Sequence, residues 1–154
     1  MRIRLLKRSE INEVAKLFVE SYKKESKAKR WEGTLAEKYI LMQYRLSKDL
    51  CFVAVENDKI VGVCLGLIVP EFNKEYIELK TLLVHPKHRR QKVASRLVRK
   101  ICIKAENKYN IREVEASMDT LINFPITWFE SIGFRTRKHF EVTRASIGSI
   151  LKVV

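Results

Sequence analysis

A chain of 154 residues can bury one hydrophobic core but is too short for two ordinary domains, so the sequence predicts a single domain over residues 1–154. Hydrophobic residues make up 46% and charged residues 32% of the chain, which excludes disordered and collagen-like proteins. No segment approaches the roughly 20 apolar residues that cross a bilayer, so we expect no membrane partner.

The net charge is strongly positive, with 31 Lys and Arg against 18 Asp and Glu, a formal +13. Such a charge fits a nucleic-acid binder, a protein that handles polyanionic cofactors, a protein with an acidic partner, or simply a solvated basic surface. The basic residues are spread along the chain, and no basic segment carries interleaved aromatic residues. Nucleic acid is therefore a disfavoured alternative partner.

The three cysteines are odd in number and lie among apolar neighbours, which predicts buried, reduced thiols. The chain has three histidines and no His/Cys cluster, so no metal site is expected. The basic start of the chain lacks the apolar stretch of a signal peptide. These features favour a cytoplasmic protein.

Hydrophobic periodicity predicts elements in the order β-α-α-β-β-β-α-β-α-β-β. The first helix begins at Ser9, a good N-cap, and the second at Thr34, which opens a capping box with Glu37. A third helix begins near Val93, and a fourth follows Pro125 and ends at Gly133. Strands are predicted over residues 3–6, 51–55, 60–69, 76–84, 112–118, 134–143 and 147–154. This pattern predicts an α/β fold with one mixed, mostly antiparallel sheet of about seven strands and about four helices.

A basic loop joins the fourth strand to the third helix. The strand ends at Val84-His85-Pro86, and Arg89-Arg90-Gln91-Lys92-Val93-Ala94 leads into the helix. The first turn of a helix has unpaired N–H groups and a partial positive charge, and the side chains here add full charges. The loop therefore predicts an anion site that suits the pyrophosphate of a cofactor.

The chain resembles the GNAT superfamily of acetyl-CoA-dependent N-acetyltransferases. The basic loop resembles the family's pyrophosphate loop, Arg/Gln-x-x-Gly-x-Gly/Ala. Phe129-Glu130-Ser131-Ile132-Gly133-Phe134 resembles the family's Tyr-Glu-x-x-Gly-Phe. The early helix pair and the hairpin that ends in Ile60-Val61-Gly62 match in place and length.

The resemblance implies that acetyl-CoA is bound as acetyl donor in a cleft where strands four and five splay apart. A backbone N–H on the fourth strand would hold the thioester oxygen, and Asn123 resembles an Asn that contacts CoA. The implied cofactor-binding residues are Leu82, Leu83, Val84, Arg89, Arg90, Gln91, Lys92, Val93, Ala94, Asn123 and Phe129.

Two residues depart from the family pattern. Lys92 stands at the family's first loop Gly, where a positive φ would cost about 1 kcal/mol. We favour the interpretation that Lys92 already belongs to the helix and has a negative φ. Its ammonium could then reach a phosphate. Phe129 replaces a Tyr that is proposed to protonate the CoA thiolate in many relatives, and water could supply that proton instead. The alternative interpretation of Phe129 is core packing beside Trp128.

The resemblance also implies a general base for the amine. Glu78 on the fourth strand is the first candidate, and Glu115 on the next strand is the second. The alternative for Glu78 is an exposed strand residue paired with Lys80.

The acceptor is an unspecified amine, a small molecule or a protein, and residues 23–33 would shape its side of the site. Glu20, Glu25, Trp31 and Glu32 lie in or near that stretch, which would suit a cationic amine or be a charged surface loop. The expected assembly is a monomer or a homodimer. The competing hypothesis is an inactive GNAT-fold module that binds CoA or, through its +13 surface, nucleic acid.

Overall fold

A computed structural model describes residues 1–23, 31–117, 126–136 and 146. The chain divides into two compact units, Met1–Phe124 and Pro125–Val154. Among the described residues, the first unit contains five strands and three helices, and the second contains one helix. The single domain over 1–154 stays a prediction.

The elements follow the predicted order. They are β1 (Arg2–Leu5), α1 (Ile11–Lys23), α2 (Gly33–Ser47), β2 (Cys51–Glu56), β3 (Lys59–Glu71), β4 (Lys74–Val84), α3 (Val93–Tyr109), β5 (Val114–Ala116) and α4 (Ile126–Ser131). The four helices confirm the prediction. The described residues contain five strands rather than about seven, since most of 134–143 and 147–154 lies outside them.

The strands form one sheet in the order β1-β2-β3-β4-β5. Every pair is antiparallel except β4–β5, which is parallel, so the sheet is mixed and mostly antiparallel as predicted. The β2–β3 hairpin turns through Asn57 and Asp58, whose φ values of 49° and 60° match the twist of a two-residue hairpin.

Helices cover both faces of the sheet. Successive residues of β3 point to opposite faces, and both sets are apolar, so both faces need to be covered. Val63 and Leu65 lie in the core cluster that α1 and α2 bury, and both are fully buried. Gly62 and Gly66 face α3, where an added Cβ at Gly62 would lie 3.0 Å from Val93 Cγ1. The absent side chain thus lets the start of α3 lie directly against the sheet.

The predicted Ser9 cap of α1 is wrong. A short 3₁₀ turn at Arg8–Glu10 precedes the helix, and the Glu10 carboxylate accepts a hydrogen bond from the Lys7 N–H at 3.0 Å. The Arg4 guanidinium donates to both Glu10 oxygens, at 2.6 and 2.8 Å. A carboxylate that binds a guanidinium forms stronger hydrogen bonds than a serine hydroxyl does. The contacts of Glu10, rather than a Ser9 cap, therefore set the start of α1 at Ile11.

The single described helix of the second unit, α4, ends at Ser131, and Gly133 terminates it as predicted. Gly133 has φ 104° and its N–H donates to Glu130 O at 3.1 Å, while the Phe134 N–H donates to Phe129 O at 3.1 Å. These two bonds form a Schellman motif, which requires a residue that tolerates the left-handed region.

Candidate functional site

A bulge interrupts β4 in the middle of the sheet. Leu65 of β3 pairs with Thr81 and Gly66 pairs with Leu79, so Lys80 is an extra residue on β4. The parallel pairing with β5 ends at the same place, with Leu79 opposite Ala116. A bulge bends its strand and increases its twist. Beyond Leu79, β4 therefore has no β5 partner among the described residues, which is the arrangement that a splay between the two strands requires.

The edge of β4 beyond the bulge, which no described strand pairs on the β5 side, presents backbone donors. The His85 N–H donates to Val61 O at 2.9 Å, across the ladder to β3. Because N–H directions alternate along an antiparallel strand, Leu83 also faces β3, whereas Leu82 and Val84 face away from it. Of the three predicted oxygen-holding residues, Leu82 and Val84 are placed to donate toward the β5 side.

Two carboxylates lie side by side on the α2 face of the sheet. Glu78 and Glu115 are register partners on the parallel strands, so their side chains share one face. Glu78 is 13% exposed, and one of its oxygens accepts from Lys80 Nζ at 2.5 Å and from Ser117 Oγ at 3.4 Å. The ion pair with Lys80 that was the alternative for Glu78 is thus present.

A buried polar pair fixes the bulge to α2. Thr81 and Gln43 are both buried, and the Thr81 hydroxyl donates to Gln43 Oε1 at 3.0 Å. A buried amide is costly unless it is hydrogen-bonded, so the pair specifies how α2 and β4 meet. Sequence reasoning missed Gln43, although its spacing from the buried residues Ala36 and Ile40 places it on the buried face of α2.

Side-chain contacts hold the basic loop in place. Arg89 Nε donates to Val84 O at 3.2 Å, Gln91 Nε2 donates to Lys87 O at 3.1 Å, and His88 Nδ1 lies 3.1 Å from Glu56 Oε2. The first contact joins the loop to the end of β4. Arg90 and Lys92 remain exposed, so their charges face solvent.

The favoured negative φ for Lys92 is wrong. Lys92 is the N-cap of α3 with φ 58° and ψ 17°, and Arg90 also has a positive φ of 62°. The loop makes its turn through these two left-handed residues before α3 begins at Val93. The conformation that Gly adopts freely is therefore imposed on a Lys, with a strain of about 1–2 kcal/mol.

The loop also presents a row of backbone donors. Among the described residues, no backbone acceptor meets the N–H groups of residues 90–95, a series that includes Gln91 and Ala94 and that ends in the first turn of α3. Unpaired amides, a helix N-terminus and exposed cations are the donor set that a diphosphate requires. These residues fit the pyrophosphate of a CoA molecule.

The expected acceptor side is described only in part. Trp31 packs against Phe18, Tyr22 and Tyr39, with ring centroids 4.9, 6.4 and 5.2 Å away. Glu20 and Glu32 are exposed. Glu25 and Asn123 lie outside the described residues.

Phe129 lies in the second unit and is 2% exposed. Its ring packs edge-on against Trp128 and Phe134, with centroids 4.8 and 4.9 Å away. This is the core packing that was the alternative interpretation of Phe129.

The three cysteines lie on β2, β3 and α3. Cys51 and Cys64 are buried and Cys102 is half-buried, and all three are free. Burial raises the pKa of Cys51 to about 12 and raises the pKa of Cys64 and Cys102 as well.

The model of the acetyltransferase (GNAT) family matches residues 11–134, most of the chain. The chain belongs to the GNAT family. The match ends at Phe134, so this GNAT domain includes the bulged β4, the basic loop and α4. No curated protein sequence matches the GNAT chain. None of its described helices is long and apolar enough to cross a membrane.

Solved structures share the GNAT fold at low sequence identity. A possible acetyltransferase from Clostridium difficile 630 is 15% identical with a TM-score of 0.78, over 95% of this chain and 97% of that one. A ribosomal-protein-alanine N-acetyltransferase from Brucella melitensis biovar Abortus 2308 is 20% identical with a TM-score of 0.70, over 94% and 100%. A predicted acetyltransferase with acetyl-CoA from Clostridium acetobutylicum is 13% identical with a TM-score of 0.73, over 93% and 95%.

Proposed function

We propose that the protein is an acetyl-CoA-dependent N-acetyltransferase that acetylates a cationic amine. The observation that carries the proposal is the bulge at Lys80, beyond which no described residue of β5 pairs with the end of β4 before the basic loop. The unpaired edge offers donors for a pantetheine arm and a thioester oxygen. The loop offers donors for the diphosphate.

Acetyl-CoA would supply an acetyl group activated as a thioester. In the proposed site the N–H groups of Arg90 to Ala94 hold the diphosphate, with Arg90 and Lys92 as counter-charges. Leu82 or Val84 donates to the thioester oxygen as negative charge develops on it. Diphosphate-binding loops usually contain glycines, which adopt a positive φ freely. In this loop Arg90 and Lys92 adopt the positive φ instead.

Glu78 is the proposed proton acceptor. A lysine-like amine with a pKa near 10.4 must lose a proton at pH 7, which costs roughly 4.6 kcal/mol. The neutral amine nitrogen then bonds to the acetyl carbon and the carbon–sulfur bond breaks. The nitrogen loses its second proton to water, and the departing sulfur takes a proton from water. Glu78 accepts the amine proton directly or through water, a contribution of about 10² to 10⁴ in rate.

The neighbours of Glu78 suit a positively charged acceptor. Lys80 holds the carboxylate in the present structure at 2.5 Å, and an incoming ammonium can take the place of that ion pair. Glu115, on the same face, supplies a second carboxylate. The proposed substrate class is accordingly a polyamine, an aminoglycoside, or a lysine or N-terminal amine of a protein; the Brucella structure is that of a ribosomal-protein-alanine N-acetyltransferase.

The second candidate function is a module that binds CoA without catalysis. Two observations favour it: Lys92 strains the loop where the family has Gly, and the ring of Phe129 is buried and has no proton to donate.

Calorimetry and an acetyl-transfer assay together test both candidates. Acetyl-CoA should bind to the native chain and bind at least tenfold more weakly to Arg90→Glu, which reverses a loop charge. Lys16→Glu, an equal change on the exposed face of α1, is the control and should leave binding unaffected.

Transfer is then measured as CoA release with a polyamine, an aminoglycoside and peptides that carry a lysine or a free N-terminus. Acetylation of one of these amines supports the enzyme. Binding without acetylation of any of them supports the non-catalytic module, and an absence of binding overturns both.

A further inference from the structure

The net charge is concentrated in one part of the chain, contrary to the expectation that it is spread. Residues 79–105 contain nine Lys and Arg and no Asp or Glu, whereas the other 127 residues together carry a net charge of +4. This segment consists of the end of β4, the basic loop and most of α3. The loop cations have a use in the proposed cofactor site, but those of α3 do not.

The cations of α3 form a stripe along its exposed side. Arg96 follows the N-cap Lys92 by four residues, and Arg99 and Lys100 follow Arg96 by three and four residues, which places these cations on one side of the helix. All four are exposed. With a rise of about 1.5 Å per residue, the stripe is about 12 Å long.

The described carboxylates do not neutralise this stripe. Farther along α3, Lys108 forms an ion pair with Asp49, which shows how a cation on this helix is normally compensated. Within the described part of the chain, no carboxylate lies at ion-pair distance from Arg96, Arg99 or Lys100. Arg96 also lies at the end of the first turn of α3, where a positive charge opposes the helix dipole. A bound polyanion would relieve both costs.

We propose that the face of α3 formed by Arg96, Arg99 and Lys100 binds the phosphate backbone of duplex nucleic acid. Arg99 and Lys100 lie about 10–12 Å along the helix from Lys92, beyond the loop that suits the diphosphate. Ile103 is the one large apolar side chain exposed on α3 among the described residues, too little to insert into a membrane. The stripe carries no aromatic residue for base stacking, so backbone contacts of a duplex fit it better than single strands do.

The test is fluorescence anisotropy with labelled RNA and DNA hairpins of one sequence, over a range of salt concentrations. The variant Arg99→Gln/Lys100→Gln is compared with Lys16→Gln/Lys38→Gln, which removes two exposed cations from α1 and α2. Loss of two phosphate contacts should reduce the slope of log K against log salt by about 1.8. Affinity at low salt should fall tenfold or more for the α3 pair and less than twofold for the control, with thermal unfolding unchanged in both.

Saturating acetyl-CoA should leave most of the binding intact, and the hairpin that binds more tightly identifies RNA or DNA as the partner. Equal losses in the two variants would show diffuse attraction by net charge and overturn the assignment to α3. Complete displacement by acetyl-CoA would place the hairpin on the loop and would also overturn it. Neither result depends on whether the protein transfers acetyl groups.

Discussion

Lys92 combines a positive charge with a left-handed backbone, and the two have opposite effects on anion binding. Lys92→Asn removes the charge and keeps a residue that tolerates this backbone, whereas Lys92→Gly removes both the charge and the strain. We expect Lys92→Asn to bind acetyl-CoA about threefold to tenfold more weakly at low salt, and the loss to shrink at high salt. Calorimetry at two salt concentrations measures this. Tighter binding of both variants at both concentrations would show that Lys92 obstructs the site.

Glu78 is expected to act in the chemical step rather than in cofactor binding. Glu78→Gln should lower kcat by about tenfold or more and leave the affinity for acetyl-CoA nearly unchanged, because the amide cannot accept the amine proton. Glu75→Gln, an exposed position on the same strand, is the control and should have wild-type kinetics. If the pH–rate profile of Glu78→Gln matches that of the wild type, the role passes to Glu115.

The contact between β3 and α3 governs where the basic loop lies. A Cβ at Gly62 would lie 3.0 Å from Val93 Cγ1 and 3.2 Å from both Leu83 O and Leu97 Cδ1. Since one of these atoms is backbone, Gly62→Ala should push α3 outward and lower the free energy of unfolding by about 1–3 kcal/mol. Gly33→Ala is the control, since nothing lies within 4 Å of a Cβ there. Urea unfolding of the two variants measures the difference, and equal stabilities would contradict the close approach.

The joint between β1 and α1 should make stability depend on pH. The hydrogen bond from Arg4, followed by that from the Lys7 N–H, outweighs burial and lowers the pKa of Glu10 below its ordinary value of 4.5. A lowered pKa stabilises the folded state above pH 4.5, and this contribution disappears as the pH falls through the folded-state pKa. Thermal unfolding should therefore show wild type more stable than Glu10→Gln at pH 7, with the gap closing below pH 4.5. A gap that is constant with pH would contradict the lowered pKa.

The elements that the sequence predicts well are those whose signals are local. The apolar spacing of α1 and α3, the hairpin at Asn57–Asp58 and the end of α4 at Gly133 each depend on a few neighbouring residues. The bulge at Lys80 depends instead on pairing with both β3 and β5. A run such as Glu78-Leu79-Lys80-Thr81 reads as a continuous strand, so the bulge has no local signal.

The candidate site likewise combines features that local sequence predicts with features that depend on long-range contacts. The basic loop was predictable because cations before an amphipathic helix have a direct electrostatic meaning. The positive φ of Lys92 was not predictable, because a left-handed residue is expected to be Gly or Asn. The backbone at the start of α3 depends instead on the packing of that helix on Gly62. The contact of Gln43 with Thr81 joins residues 38 positions apart, which only the fold brings together.

Across the whole molecule, burial should keep the thiols unreactive. Cys51 and Cys64 are buried and their raised pKa values suppress the thiolate, which is the reactive form. A disulfide reagent at pH 8 should therefore modify at most Cys102 quickly, and all three thiols only after unfolding in denaturant. Rapid modification of two or more thiols in the native protein would show that the core around β2 and β3 opens readily.

The proposed site lies beside a strand pairing, β4 with β5, that requires the closure of a long loop. β2, β3 and β4 are joined by short turns, whereas β5 reaches β4 only after the whole of α3, with Ile77 opposite Val114. Because the chain entropy of closing this loop is lost before the contact forms, we expect the β4–β5 pairing to form late in folding. A ligand held at the open end of β4 should then slow unfolding and leave the folding rate nearly unchanged, and stopped-flow kinetics with and without acetyl-CoA would show which rate responds.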